Sequence, residues 1–287
     1  MKIPCLSIRP GYIACYNTYT ETHYNRPLRM SWLDNFKAND HKGKVSRNAE
    51  KRIKNAIDWL LALASDKQFT RFKDGRSYWF KINFVTLTLS SPQMHSDNTI
   101  KKELLNQLLV EARKKWNIIH YLWRAERQKN GNIHFHLVCD KFIPWSELRD
   151  TWNRIQNKLG YVDRFHDKHK KRNPNSTDVH SIKNIKNISA YLSKYCSKQS
   201  EGEPIKGKLW GLSESLSKIK AATDLIYGKI KDELEEIEYQ FLDRVKTLEH
   251  CKIIYVNVKE WVKFSAGALS SLYYNYLNEF RARYSSA

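Results

Sequence analysis

The stretch Glu126-Arg127-Gln128-Lys129-Asn130-Gly131-Asn132-Ile133-His134-Phe135-His136 constrains this chain more than any other. His134 and His136 flank a single apolar residue, so on a β-strand both imidazoles project from the same face. Asn130-Gly131 marks a turn and makes the stretch a hairpin. Whether Glu126 joins the histidines depends on the length of that turn. A two-residue turn pairs Lys129 with Asn132 and sets Glu126 across from Phe135, on the wrong face. A three-residue loop, Lys129-Asn130-Gly131 with Gly131 left-handed, pairs Gln128 with Asn132 and Glu126 with His134. In the second register Glu126, His134 and His136 make a ligand set with open positions for a divalent metal. Gln128 shares their face, as a fourth ligand or as a support behind the first three. Read alone, a His-x-His strand is an ordinary solvent-facing pair.

About 55 residues on, residues 187–198 have the spacing of a short helix. Ser189 suits an N-cap, and Ile188, Leu192 and Cys196 recur every four residues. Tyr191 and Tyr195 then share one face, one turn apart, with Lys194 and Lys198 in a second row beside them. The plain reading is an amphipathic helix that buries tyrosine rings and solvates lysines. Phosphoryl transfer gives the pairing another meaning. A tyrosine hydroxyl titrates near 10 and is a weak nucleophile at neutral pH, so an ammonium or a metal beside it would favour attack on phosphate.

Three motifs in this order resemble those of the HUH endonucleases, most closely the two-tyrosine replication initiators of small circular single-stranded DNA phages and related plasmids. The first is the apolar strand ending in Thr-Leu-Thr, here Phe84-Val85-Thr86-Leu87-Thr88. The second is the His-hydrophobic-His strand with its upstream Glu126 and Gly131. The third is Tyr-x-x-Lys, doubled as Tyr191 to Lys194 and Tyr195 to Lys198. The resemblance covers residues 84 to 198, and does not extend to the first 80 residues or the last 70.

That resemblance implies a nicking reaction on a single-stranded DNA origin. Glu126, His134 and His136 would hold Mg²⁺ or Mn²⁺, and Tyr191 or Tyr195 would attack the phosphate, leaving a 5′-phosphotyrosine bond and a free 3′-hydroxyl for rolling-circle replication. Lys194 and Lys198 would steady the phenolate or the phosphate. No GxxxxGK[ST] is present, so unwinding and synthesis would fall to a host helicase and DNA polymerase. An HUH transposase or plasmid relaxase would use the same chemistry. From another class, a single-stranded nucleic-acid-binding protein without catalysis would use the same residues only for contact.

The formal charge of +20 calls for a polyanionic partner, and the basic excess is interleaved with nine tryptophans and sixteen tyrosines. Basic grooves lined with rings hold single strands by stacking and phosphate contact. Lys168, Lys170, Lys171 and Arg172 form a basic loop expected to touch phosphates or simply to be solvated. No apolar run reaches the roughly 20 residues of a membrane span, and residues 1–5 lack a signal-peptide core. A soluble protein in the cytoplasm of a host cell, a bacterial one on the strength of the resemblance, is therefore expected. The five cysteines have no CxxC spacing and fit reduced thiols.

The expected fold is α+β, an antiparallel central sheet carrying the His-x-His strand and flanked by helices. Residues 1–67 read as an irregular arm and a helix from Ser46 to about Ala64. Residues 68–215 read as the endonuclease-like domain, opening with two strands joined at Asp74-Gly75. Within it, helices are expected at 98–116 and 144–159, and short strands at 161–165 and 179–182. Trp210 reads as an anchor for a linker. Residues 216–287 read as a mainly helical extension, with a long helix from Ile230 to Leu248, a strand at 253–258 and a last helix from Trp261 to Tyr284.

Overall fold

Alternation along the histidine strand sets up the larger of two sheets. The structure, a computed structural model, describes residues 2–19, 43–70, 74–181, 188–197, 203–265 and 267–285. In chain order its strands are β1 (Lys2–Arg9), β2 (Tyr12–Tyr19), β3 (Lys67–Thr70), β4 (Ser77–Phe80), β5 (Asn83–Leu87), β6 (Tyr121–Arg127), β7 (Ile133–Cys139), β8 (Thr177–Ser181), β9 (Trp210–Leu212), β10 (Ala222–Leu225), β11 (Val245–Thr247) and β12 (Cys251–Ile254). The chain divides into two compact units, His41–Lys218 and Met1–Asp40 with Ile219–Ala287.

In the first unit five antiparallel strands run in the order β8-β5-β7-β6-β9. Phe135 and Leu137 of β7 lie opposite Leu87 and Val85 on one side and Ala125 and Trp123 on the other, and all six are buried. His134 and His136 therefore project from the opposite face, together with Thr86, Arg124 and Glu126. Leu104, Leu108, Leu148, Trp152 and Ile155 bury the apolar sides of the helices in this unit. Each such side chain contributes about 1.5–3 kcal/mol. The Trp152 indole donates to Thr88 O at 2.7 Å and ties the helix Trp145–Gln156 to the strand end.

The helix Arg47–Leu63 begins where Ser46 Oγ accepts from Ala49 N, as its sequence predicts. It buries Ile53, Ile57 and Leu60 and packs against β6 and the helix Ile188–Ser197. Arg52 places its guanidinium 5.3 Å from the Trp210 ring centroid. Trp210 thus does more than anchor a linker, because β9 is an edge strand of the sheet. Gly211 beside it is required by space, since a Cβ there would meet Trp123 Nε1 at 2.5 Å.

The second unit holds a five-stranded antiparallel sheet in the order β10-β1-β2-β12-β11. Ile8, Ile13 and Ile254 lie side by side across its three central strands and are fully buried. Glu233, in the helix Gly228–Gln240, accepts from Ala268 N and Leu269 N at 2.7 and 3.0 Å. Its negative charge meets the first turn of the helix Ala268–Ser285, where the helix dipole favours it.

Several expectations are corrected. Residues 2–19 form a hairpin, not an irregular arm, and the turn signal was Pro10-Gly11. The expected divisions after residues 67 and 215 give way to a helix at 47–63 that belongs with the histidine sheet and a terminal unit built from both ends of the chain. The last unit is mixed rather than mainly helical, since the helix expected to reach Leu248 stops at Gln240 and residues 245–247 pair with 252–254. Residues 161–165 are helical, within Tyr161–His169, because Tyr161, Val162 and Phe165 fit one helix face and Gly160 turns the chain at φ 75°. The Asp74-Gly75 hairpin joins β3 to β4 in a separate two-stranded sheet, and the Thr-Leu-Thr strand is β5.

Candidate metal centre

The turn between β6 and β7 resolves the register left open by the sequence. Gly131 N donates to Gln128 O and Gln128 N donates to Asn132 O, both at 2.9 Å. Gly131 has φ 84°, where an L side chain is strained. This is the three-residue loop, and it sets Glu126 directly opposite His134.

Side chains from outside the hairpin hold that loop. Asn132 is buried, donates to Ser91 O at 3.0 Å and accepts from Gln93 N at 2.8 Å. Gln93 Oε1 accepts from Ile133 N at 2.7 Å. Arg127 donates to Gly131 O at 3.1 Å and makes two bonds to the buried Asp97 carboxylate, at 2.8 and 3.0 Å. Asp97 also accepts from Gln93 Nε2 at 2.8 Å and Lys206 N at 3.0 Å. Burial works against its ionisation, but these bonds outweigh burial and hold the carboxyl below its ordinary range.

The loop brings three ligand atoms together. Glu126 Oε2 lies 3.4 Å from His134 Nε2 and 3.3 Å from His136 Nε2, and all candidate ligand atoms fall within 4.8 Å of one another. Among the described residues this is the one such group of three. Thr86 Oγ1 sits 3.2 Å from His136 Nδ1, and the Phe84 ring stacks 5.1 Å from the same imidazole. The Thr-Leu-Thr strand therefore serves the histidine, fixing its ring from the side away from Glu126.

Electrostatics suit a cation. Burial penalises the Glu126 charge, yet hydrogen bonds to both histidines, with their charge, prevail and hold the carboxyl at about 2. Burial lowers the pKa of His136, against the opposing pull of Glu126, so its imidazole is neutral at neutral pH. An ionised carboxylate beside a neutral imidazole is the protonation state that metal ligands require. Glu126 Oε1 and His134 Nδ1 are buried without a hydrogen-bond partner, a costly state that a bound ion or water would relieve. The Glu126, His134 and His136 cluster can hold a metal ion. Gln128 is half-buried on the same strand and makes no side-chain hydrogen bond to the three.

The tyrosine helix spans Ile188–Ser197. Leu192 and Cys196 are fully buried, whereas Tyr191 is 43 % exposed and Lys194 is exposed. Burial pushes the Cys196 thiol up to about 12, with a further upward push from Glu126 and an opposing one from Arg124. Cys196 therefore lies within electrostatic range of the cluster, which brings this helix alongside it. Of Tyr195 only the helical backbone is described, the Ser189 side chain lies outside the described residues, and Lys198 lies outside them altogether. Lys168, Lys170, Lys171 and Arg172 are exposed around the end of the helix Tyr161–His169, and Arg172 approaches Asp163 at 3.8 Å.

A family model of replication-associated proteins, the ORF2 group, matches residues 82–200, somewhat under half of the chain. The matched segment runs from the start of β5 through the Glu126–His136 hairpin to the tyrosine helix. No curated protein and no solved structure gave a match. No helix among the described residues is long and apolar enough to cross a membrane.

Proposed function

We propose that this chain is a replication initiator that nicks single-stranded DNA at an origin by tyrosine attack. The observation that carries the reading is the Glu126, His134 and His136 cluster, lying in a segment similar to replication-associated proteins. A divalent ion held there, Mg²⁺ or Mn²⁺, would act as a Lewis acid on a phosphate oxygen. Glu126 supplies the negative charge, His134 and His136 supply neutral nitrogens, and Thr86 keeps the His136 ring from turning.

In the proposed reaction the phenol oxygen of Tyr191 or Tyr195 forms a bond to phosphorus as the bond to the 3′ oxygen breaks. The departing oxygen takes up a proton and becomes a 3′-hydroxyl, while the 5′ phosphate stays on tyrosine. One phosphodiester replaces another, so no nucleotide is consumed. Lys194, and by the same motif Lys198, stands three residues after a tyrosine and would lower the cost of the phenolate. The second tyrosine would cleave the regenerated origin and release a circle. Host helicase and polymerase would supply unwinding and synthesis, and the surface at Lys168, Lys170, Lys171 and Arg172 would contribute phosphate contacts.

The test is covalent capture. Labelled single-stranded circular DNA bearing the replicon's origin is incubated with the protein and Mn²⁺, then run on a denaturing gel. A labelled protein band that disappears with EDTA and in the Tyr191→Phe/Tyr195→Phe double variant is expected. Tight binding with no adduct would replace the nickase by a binding protein.

A further inference from the structure

Beside the cluster, on the far side of Thr86, lies an open cleft of about 480 Å³. Its walls include Thr86, Trp145, Arg149, Asn175 and Asp178. Such a volume is in the range of small-ligand pockets, roughly 300–1,000 Å³. The cleft and the candidate metal centre share a wall, since the Thr86 hydroxyl that lines the one is 3.2 Å from His136 Nδ1 in the other.

Trp145 is 60 % exposed at the first position of its helix, a poor place for an indole with nothing to cover it. It is held there: the Arg149 guanidinium, one helical turn on, lies 4.8 Å from the ring centroid. Arg149 is fixed in its turn by donating to Asn175 Oδ1 at 2.6 Å, which leaves the Asn175 amide N–H₂ free to donate elsewhere. The result is a ring braced by a cation, next to an amide donor and a carboxylate. Asp178 argues against a phosphate in the cleft, by like-charge repulsion, and for a group that donates to a carboxylate. A flat ring to stack on, an amide and a carboxylate suit a nucleobase that carries an exocyclic amino group.

We infer that this cleft binds one unpaired base bearing an exocyclic amino group, next to the phosphate that the candidate metal centre would engage. The inference rests on the nickase reading for the identity of the strand, though base binding itself needs no chemistry. Trp145 would stack on the base, Asp178 would accept from its amino group, and Asn175 would donate to a ring nitrogen or carbonyl. Thymine, which lacks the amino group, would be the poorest occupant.

The test measures binding of fluorescein-labelled oligo-dA, oligo-dC and oligo-dT by anisotropy, with the full chain in EDTA so that cleavage plays no part. Oligo-dC and oligo-dA should bind more tightly than oligo-dT. Trp145→Ala should weaken binding of the first two by about 5- to 150-fold, and Trp145→Phe should keep most of it. Asp178→Asn should erase the preference against oligo-dT. Affinities of Trp145→Ala within twofold of the parent on all three would overturn the pocket. Equal losses on all three, with no effect of Asp178→Asn, would overturn the assignment of the amino group. Because no step depends on the tyrosines, a chain that forms no adduct yet passes this test loses only the nickase reading.

Discussion

Removing the Asp97 carboxylate should loosen the loop that positions Glu126. Asp97 and Arg127 have side chains only 6 % and 9 % exposed, and their closest approach is 2.8 Å. Asp97→Ala leaves a buried guanidinium, the Gln93 amide and the Lys206 N–H without their acceptor. Breaking a buried pair from one side costs about 3–5 kcal/mol. With an m-value of about 3 kcal/mol/M in urea, the unfolding midpoint should fall by about 1–2 M at pH 7. Asp97→Asn keeps the shape and loses the charge, and should cost less, roughly 1–3 kcal/mol. In the Asp97→Ala/Arg127→Ala double variant the loss should be smaller than the sum of the single losses, because no charge is left stranded. The pH dependence has a definite sign. The folded-state pKa of Asp97 lies below its ordinary value of 3.8, so the stabilisation is complete above that value and is lost as pH falls through the lower, folded one. A midpoint for Asp97→Ala within about 0.2 M of the parent, well below the shift expected from a buried pair, would show that this pair does not hold the loop.

Other predictions are simpler to read. Thr86→Val should weaken Mn²⁺ binding by about 10- to 100-fold in calorimetry, whereas Thr86→Ser, which keeps the hydroxyl at His136, should retain most of it. Gly211→Ala puts a methyl against Trp123 and should destabilise by about 1–3 kcal/mol, seen as a drop in Tm of about 2–12 °C. Cys139 and Cys196, both buried with thiols pushed up to about 12, should resist iodoacetamide in the native protein and react in urea. Fast labelling of either under native conditions would contradict their burial.

The histidine hairpin was legible because its information is local. Alternation fixes which side chains share a face, and Asn130-Gly131 limits the loop to two registers. Choosing between them required Asn132, Gln93 and the Asp97–Arg127 pair, which come from segments that no spacing rule connects. The helix Arg47–Leu63 could be read from Ser46 and its apolar repeat, because a cap and a period of 3.6 are also local. The sheet of the second unit was illegible for the opposite reason. Nothing in residues 2–19 says that their partners are Cys251–Ile254 and Ala222–Leu225. Tyr161–His169 misled because one tyrosine and one valine after Gly160 fit a strand as well as a helix over so short a stretch. The cleft at Trp145 gave no signal either, since Arg149 and Asn175 meet only in three dimensions.

The split origin of the second unit has a consequence for synthesis on the ribosome. His41–Lys218 is one uninterrupted run and can fold once it has emerged, whereas β1 and β2 must wait for β10 and β12. Some 232 residues separate Tyr19 from Cys251, which at about 5–20 residues per second is a delay of about 10–50 s. Throughout that interval the first hairpin has two open edges and no sheet to join, a marginal and adhesive state. The nascent chain is therefore most vulnerable at its oldest residues, and a chaperone that shields residues 2–19 should raise the yield of folded protein more than one that acts on the histidine sheet.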